Sequence, residues 1–403
     1  MIDKLKPRDR IFLEQQEKLI LAPYAVLSVD AHKTRRLQEP EHPYRTAIQR
    51  DRDRIIHSRA FRRLKHKRQV FLVSFGDHYR TRLTHTLEVS QISRTIAKAL
   101  GLNEELTEAV ALGHDLGHTP FGHAGEVVLN RILSGQDNLD GILTGENIGG
   151  FKHNYQSLRV VDQIEKEYFF DGLNLTAYVR EGIIKHTRLK RASIQYPELE
   201  LTGIYFELDN ATHLEGQVVA ISDEIAQRTH DLEDGIIAGL VNINRVLELP
   251  VIQYVKERIT ISTKLEKQST AYRNSLINGL ISVLIGDIIE TSMKKIQAFY
   301  EKNNRLNYFD EEIVSFSEEI NPLQIELDAF IHREIIRPSS SSQIIAADED
   351  TIRNLFKSFY QKPPAQIAGT LTMGYESYVR SIADYIAGMT DHYAQTEIKK
   401  QMI

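Results

Sequence analysis

The chain of 403 residues contains no cysteine. Disulfides are excluded, and so is any metal site built on thiolates; an ion held here must take nitrogen and oxygen donors. A long apolar run is also missing. The most apolar stretch, Ser275 to Ile289, is interrupted by Asn278, Gly279 and Asp287 and is shorter than the roughly 20 residues a membrane span needs. It reads as a buried helix, because Leu276, Leu280, Leu284 and Ile288 recur every fourth residue and apolar helical stripes are as a rule core; a seam between copies is the lesser alternative. Met1 to Lys18 is charged throughout and lacks the apolar centre of a signal peptide, so a cytoplasmic protein with no membrane partner is expected. Charge of one sign is not in large excess either. Fifty Lys and Arg stand against 55 Asp and Glu, for a formal net charge of -5, and bulk electrostatics therefore do not point to nucleic acid.

What the chain does have is helical periodicity. Residues 1–40 read as a peripheral segment with one helix around Arg8 to Leu21. Arg45 to Gln69 alternates many arginines with acids, and Ile55, Ile56, Phe61 and Leu64 fall at helical spacing, which predicts an amphipathic helix with a very basic face. That face is either neutralised by the interleaved acids or turned toward a polyanion, for which the planar guanidinium fork is well suited. Arg80 to Leu100 reads as a helix burying Leu83, Leu87, Val89, Ile92, Ile96 and Leu100, with Gly101 as its stop. Asn103, Glu104 and Glu105 start the next helix, which ends at His114 and Asp115. Leu133 to Gly150 reads as a loop, Phe151 to Glu167 and Leu175 to His186 as helices, and Tyr196 to Gln217 as a small β-hairpin or irregular insertion. Helix resumes at Gly216 to Leu232. The remainder is helical, with breaks near Asn303-Asn304, Pro338 and Pro363-Pro364. The expected fold is all-α, with a catalytic core over residues 41–245 and a helical C-terminal region over 246–403 that completes the core and makes oligomer contacts.

One stretch does not look like scaffolding. His114-Asp115-Leu116-Gly117-His118-Thr119-Pro120-Phe121-Gly122-His123-Ala124-Gly125-Glu126 places three imidazoles and two carboxylates on a backbone interrupted by Gly117, Pro120 and Gly122. His85 on the preceding helix and Asp223 in an otherwise apolar turn can join His114 and Asp115 in one site. Two imidazoles and two carboxylates suit Mn, Mg, Fe, Ni or Zn. An ion held this way with open positions polarises phosphoryl oxygens and lowers the pKa of bound water.

The ordered set His85, His114-Asp115 and Asp223 resembles the metal signature of the HD-domain phosphohydrolases. Phe61 to Lys67, Gln69-Val70-Phe71, Arg82 to His85, His114 to His123, Gly149 to Asn154, Asp223 to Ala226 and Asp384 to Asp391 are similar to segments of the bacterial dGTPase-like deoxynucleoside triphosphate triphosphohydrolases. The resemblance implies an HD-domain helical core and hydrolysis of a dNTP to deoxynucleoside and inorganic triphosphate. It also implies roles. His85, His114, Asp115 and Asp223 would hold a divalent metal. His123 would protonate the leaving 5′-oxygen with Glu126 orienting it. His118, His153 and Arg82 would contact phosphates, and Gln69 and Asp231 the sugar 3′-hydroxyl. Where the family usually has a tyrosine four residues after the last metal ligand, this chain has Gln227, which bears on nucleotide preference. A homo-oligomer (tetramer or hexamer), a dNTP effector at a second site and single-stranded nucleic acid are further partners the resemblance implies. A phosphodiesterase or nuclease of the same superfamily, and a non-catalytic dNTP sensor, are the alternative readings.

Overall fold

Helix starts follow side chains that satisfy the free N–H groups of a first turn. Asp9 accepts from Phe12 N at the head of α1 (Arg10–Ile20). Thr46 and Gln49 form a reciprocal capping box at α3 (Ala47–His57), after the short α2 (Ser28–Ala31). Asn103 caps α6 (Glu104–Gly113) through Leu106 N, as its position in the sequence predicts. The computed structural model describes residues 7–69, 80–187, 211–260, 266–304, 311–339 and 342–401. Every regular element among them is helical, and the one strand-like pairing is an isolated bridge between Arg68 and Thr81. The all-α expectation holds. Of the expected β-hairpin, residues 196–210 lie outside the described residues, while Leu214 to Gln217 already belong to a helix.

The basic segment is not one helix. Ser58 is extended (ψ 153°), ends α3, and caps α4 (Arg59–Arg63) by accepting from Phe61 N. The break turns Ile56 outward, where it is 39% exposed. Most of the arginines meet acids: Arg45 with Asp53, Arg52 with Glu105, Arg50 and Arg54 with Glu39, and Arg59 and Arg62 with Glu167. Of these acids only Asp53 is interleaved with the arginines; Glu39, Glu105 and Glu167 come from other parts of the chain.

The central layer is α5 (Arg82–Ala99) packed on α6 and, from much later in the chain, on α10 (Leu214–Ile237). Val89, Ile92, Ile96 and Leu100 are buried as expected, but Leu87 is 50% exposed. It lies outside the inward stripe of the helix, which is narrower than its apolar residues suggest. Gly101 follows with φ +68°, the left-handed position that ends a helix at no steric cost. Between α6 and α10 come α7 (His123–Leu133), α8 (His153–Arg159), which continues as a π-turn to Ile164, and α9 (Ala177–Ile184).

Behind them lie α11 (Ile243–Val246), α12 (Pro250–Arg258), α13 (Thr270–Asn303), α14 (Ile320–Ile331) and α15 (Arg337–Ser339). Leu276, Leu280, Leu284 and Ile288 of α13 are fully buried in this chain's own core. By length and composition α13 is the one described helix that could cross a membrane. Asn304 ends it in the left-handed conformation. Pro338 lies in α15, whose last residue is Ser339.

The last helices are α16 (Ser342–Gln361), α17 (Tyr375–Ala387) and α18 (Asp391–Gln401). They form a second apolar cluster with α7: Phe356, Phe359, Ile382 and Ile386 pack with Val128, Leu129 and Ile132. The C-terminal helices thus hold α7 in place, and α7 starts at the end of the histidine-rich turn.

Candidate metal centre and active site

Three helices converge on one buried cluster. α5 supplies Arg82 and His85 one turn apart, the end of α6 supplies His114 and Asp115, and α10 supplies Asp223. His85 Nε2 is 2.8 Å from Asp223 Oδ1, and His114 Nε2 is 3.4 Å from Asp115 Oδ1 and 3.8 Å from Asp223 Oδ1. His114 Nδ1 is 2.6 Å from Ala111 O. A carbonyl only accepts, so Nδ1 carries the proton and Nε2 offers its lone pair. That Nε2 is buried and has no hydrogen-bond partner. An unpaired acceptor aimed into a cluster of carboxylates fits a divalent ion, which these nitrogen and oxygen donors can hold.

Around this centre the charges are mutually stabilised. Arg82 donates to Asp115 Oδ2 at 2.9 Å, and His118 Nε2 lies 3.0 Å from Asp115 Oδ1. Burial alone would raise the Asp115 carboxyl, but His114, His118 and Arg82 hold it well below the usual range. Asp223 likewise is lowered against its burial by His85 and His114. Burial, with Arg82 and His153 adding to it, pushes the His118 imidazole well down.

The turn from His118 to His123 is held by unusual backbone. Phe121 and Gly122 both take positive φ (61° and 57°), a conformation that costs a non-glycine residue roughly 1 kcal/mol or more. Contacts from the C-terminal helices and the basic segment over-determine it. Asp391 Oδ1 accepts from Phe121 N at 3.0 Å, the Arg68 guanidinium lies over the Phe121 ring at 5.1 Å, and Lys67 Nζ donates to His118 O and Ala387 O. Gly117 is needed for close approach: a Cβ there would stand 2.2 Å from Ser157 N and 2.3 Å from His153 O.

The expected pairing of His123 with Glu126 is not what the fold brings together. Glu126 faces inward to α8, where His153 Nδ1 is 2.7 Å from Oε2 and Lys152 Nζ is 2.9 Å from Oε1. Burial would raise this carboxyl; His153, with His118 and Lys152, outweighs it and keeps Glu126 well below the usual range. The physical reason is that a buried carboxylate takes hydrogen-bond donors from the neighbouring helix, whereas His123, the first residue of α7, points outward and is exposed. His153 also stacks on His118, with ring centroids 3.9 Å apart. Eight of the expected residues, namely His85, His114, Asp115, Asp223, Arg82, His118, Glu126 and His153, therefore form one continuous network. Gln69 and Asp231 make no hydrogen bond or ion pair to it, but each has a buried oxygen (Gln69 Oε1, Asp231 Oδ1) with no partner. Gln227 is exposed, one turn beyond Asp223 on α10.

Sequence reasoning missed three groups. His186, just past α9, is 3% exposed, with its Nε2 3.3 Å from His153 Nε2. Burial, with His114 and His153 beside it, pushes its pKa down to about 3. His230 Nδ1 is 3.3 Å from His85 Nδ1, and its Nε2 meets Glu88. The signal for His230 was present, since seven residues after Asp223 is the same helix face; nothing in the sequence marked His186. Lys67 was visible within a motif but not as a strut. Burial, with Arg82 nearby, lowers its pKa to about 7.

Two histidines and two aspartates drawn from three helices are the arrangement of an HD-domain phosphohydrolase, and the HD domain family matches residues 82–228, with a phosphohydrolase-associated domain matching residues 314–400. The chain is 40% identical over 389 residues to a deoxyguanosinetriphosphate triphosphohydrolase-like protein of Leptospira interrogans, covering 95% of this chain and 96% of that one. A protein of the same description from Geobacter metallireducens is 39% identical over 396 residues (96% of each chain), and one from Ruegeria is 40% identical over 382 residues (93% and 97%). The chain belongs to this dGTPase-like family of HD-domain hydrolases.

Proposed function

We propose that the chain hydrolyses deoxynucleoside triphosphates, dGTP or several dNTPs, to deoxynucleoside and inorganic triphosphate, and so regulates dNTP pools. Water oxygen bonds to the α-phosphorus, the bond to the 5′-oxygen breaks, and that oxygen takes a proton. The observation that carries this reading is the joining of the unpaired His114 Nε2 and its carboxylates to the His118, Glu126 and His153 group in one buried network. A divalent ion held by His85, His114, Asp115 and Asp223 would supply phosphoryl polarisation and an acidified water. Arg82 and His118 would face the phosphate charge, and His153 would lie beside them. His123, exposed at the start of α7, is free of the Glu126 pair and open to protonate the 5′-oxygen. The unpaired oxygens of Gln69 and Asp231 suit a sugar hydroxyl.

We read the protein further as a cytoplasmic homo-oligomer, tetramer or hexamer, with a second nucleotide acting as effector. The exposed Ile11, Phe12, Leu19 and Ile20 of α1 supply an apolar face that another copy would cover. The test is product analysis on each dNTP alone and in pairs with Mn, Mg, Fe, Ni or Zn. Triphosphate is the expected product; pyrophosphate or orthophosphate would refute the reaction. His123→Ala should abolish turnover with metal content unchanged, and retained turnover would remove His123 as the acid.

A further inference from the structure

The carboxylate of Asp391 stands where two functional segments meet. Its Oδ1 accepts from Phe121 N at 3.0 Å, inside the turn from His118 to His123. Its Oδ2 accepts from Arg68 N at 3.1 Å, one residue before Gln69. Asp391 opens α18 but does not serve that helix. Thr390 Oγ1 accepts from Tyr393 N at 3.2 Å and Thr390 O from Ala394 N at 3.0 Å, so the first turn already has its cap. An acid at a helix start is ordinarily satisfied by that helix's own N–H groups and dipole. Here both oxygens bond main-chain N–H groups elsewhere, and a bond to main chain fixes where the backbone runs.

Both segments need that support. Phe121 holds a positive φ of 61°, which persists in a non-glycine residue only where neighbouring contacts over-determine it. Gln69 presents a buried Oε1 with no partner, so its placement decides whether a sugar hydroxyl can reach it. The stretch before Gln69 is held on one side by Arg82 N, which donates to Lys67 O at 3.0 Å, and on the other by Asp391. The Arg68 guanidinium pairs with Asp348 and lies over the Phe121 ring, so side chains tie the same two segments that the carboxylate ties through their backbones.

We infer that Asp391 is a positioning residue: one carboxylate of the C-terminal helices sets the register between the turn that carries His123 and Gln69. The roles of these two residues rest on the proposed function; what Asp391 adds is their placement relative to each other. Through Oδ1 it acts on the proton donor and hence on kcat. Through Oδ2 it acts on recognition of the sugar 3′-hydroxyl. A site built to bond a hydroxyl rejects an analogue that lacks it, because the site's own polar group is then left unpaired. That preference is lost when the group is displaced.

The test compares the full unaltered chain with Asp391→Asn, whose amide can accept from one of the two N–H groups but turns an N–H toward the other. Binding of each dNTP and of its 2′,3′-dideoxy counterpart is measured by isothermal titration calorimetry in a chelating buffer, where no metal-dependent turnover occurs. Turnover is measured separately with Mn(II). The unaltered chain should bind the dNTP more tightly than the dideoxy compound. In Asp391→Asn that preference should narrow by about tenfold, the scale of one hydrogen bond, and kcat should fall by up to about a hundredfold, with Mn content unchanged. A merely structural role would lower the melting temperature and leave the binding preference as it was; that result overturns the proposal. Equal binding of the two compounds by the unaltered chain overturns it as well. Should Asp391→Asn not fold, Thr390→Ala, which loosens the turn carrying the carboxylate, is read in its place: preference and kcat should move in the same directions, and unchanged values refute the role. Absence of triphosphate among the products would refute the reaction, while the binding preference still reads Asp391, so the two failures are separable.

Discussion

Asp231→Asn should stabilise the protein at neutral and alkaline pH and leave it unchanged in acid. Asp231 is buried on α10, and its Oδ1 has no partner. Burial, reinforced by Asp234 and Asp328 and only partly opposed by Arg80, pushes its pKa from 3.8 up to about 7. The native state therefore keeps a proton that the unfolded chain releases as pH rises above about 4. Because the native state binds more protons in that window, stability falls as pH climbs from about 4 to about 7 and is fully reduced above it. At about 1.4 kcal/mol per pH unit, the ceiling on the loss is about 4 kcal/mol. Asparagine cannot ionise and removes the loss. With an unfolding entropy of about 2.1 cal/mol/K per residue, the 403-residue chain should melt up to about 4–5 °C higher as the variant at pH 8. The two proteins should melt together near pH 4. Differential scanning fluorimetry in a chelating buffer, from about pH 4 to about pH 8.5, reads both limits. A difference that does not change with pH, or a variant that melts lower at pH 8, would refute the reasoning.

Three other outcomes are expected. Gly117→Ala drives a Cβ to 2.2 Å from Ser157 N; overpacking against backbone should cost about 1–3 kcal/mol, and the displacement of α8 should lower kcat by up to about a hundredfold. An unchanged melting point would contradict the close approach. Lys67→Met leaves the carbonyls of His118 and Ala387 without their donor, at about 1–3 kcal/mol for each buried group. Limited proteolysis should then open the C-terminal helices first, and wild-type resistance would count against the strut. Saturating divalent metal at about a hundred times its Kd should stabilise the chain by about 2.7 kcal/mol, reversibly on chelation. His114→Ala should abolish that gain; a metal-dependent rise that persists in this variant would remove His114 as a ligand.

The extent to which the site was legible in the sequence can be seen residue by residue. The absence of cysteine decided the kind of donor, and the short-range signals decided local structure. Asn103 caps α6, Gly101 ends α5, and His114-Asp115 fall where α6 stops, because caps and stops depend on neighbours in the chain. The stripe on α13 is buried for the same reason: a four-residue period already states which face is apolar. The expected single basic helix failed locally, since Ser58 can either continue a helix or cap the next one, and packing chose the second. Contacts between elements were a different matter. His85 meets Asp223 across 138 residues, and Glu126 takes its donors from His153 and Lys152 instead of the nearer His123. His186 joins the cluster with no motif to announce it. Periodicity states that a face will be buried but not which helix will cover it. A buried charge accepts whichever donor the covering helix presents. The sequence by itself therefore determined that any ion must take nitrogen and oxygen donors, and where most of the helices start and stop. The tertiary structure alone decided which histidine the carboxylate holds and which two imidazoles stand face to face.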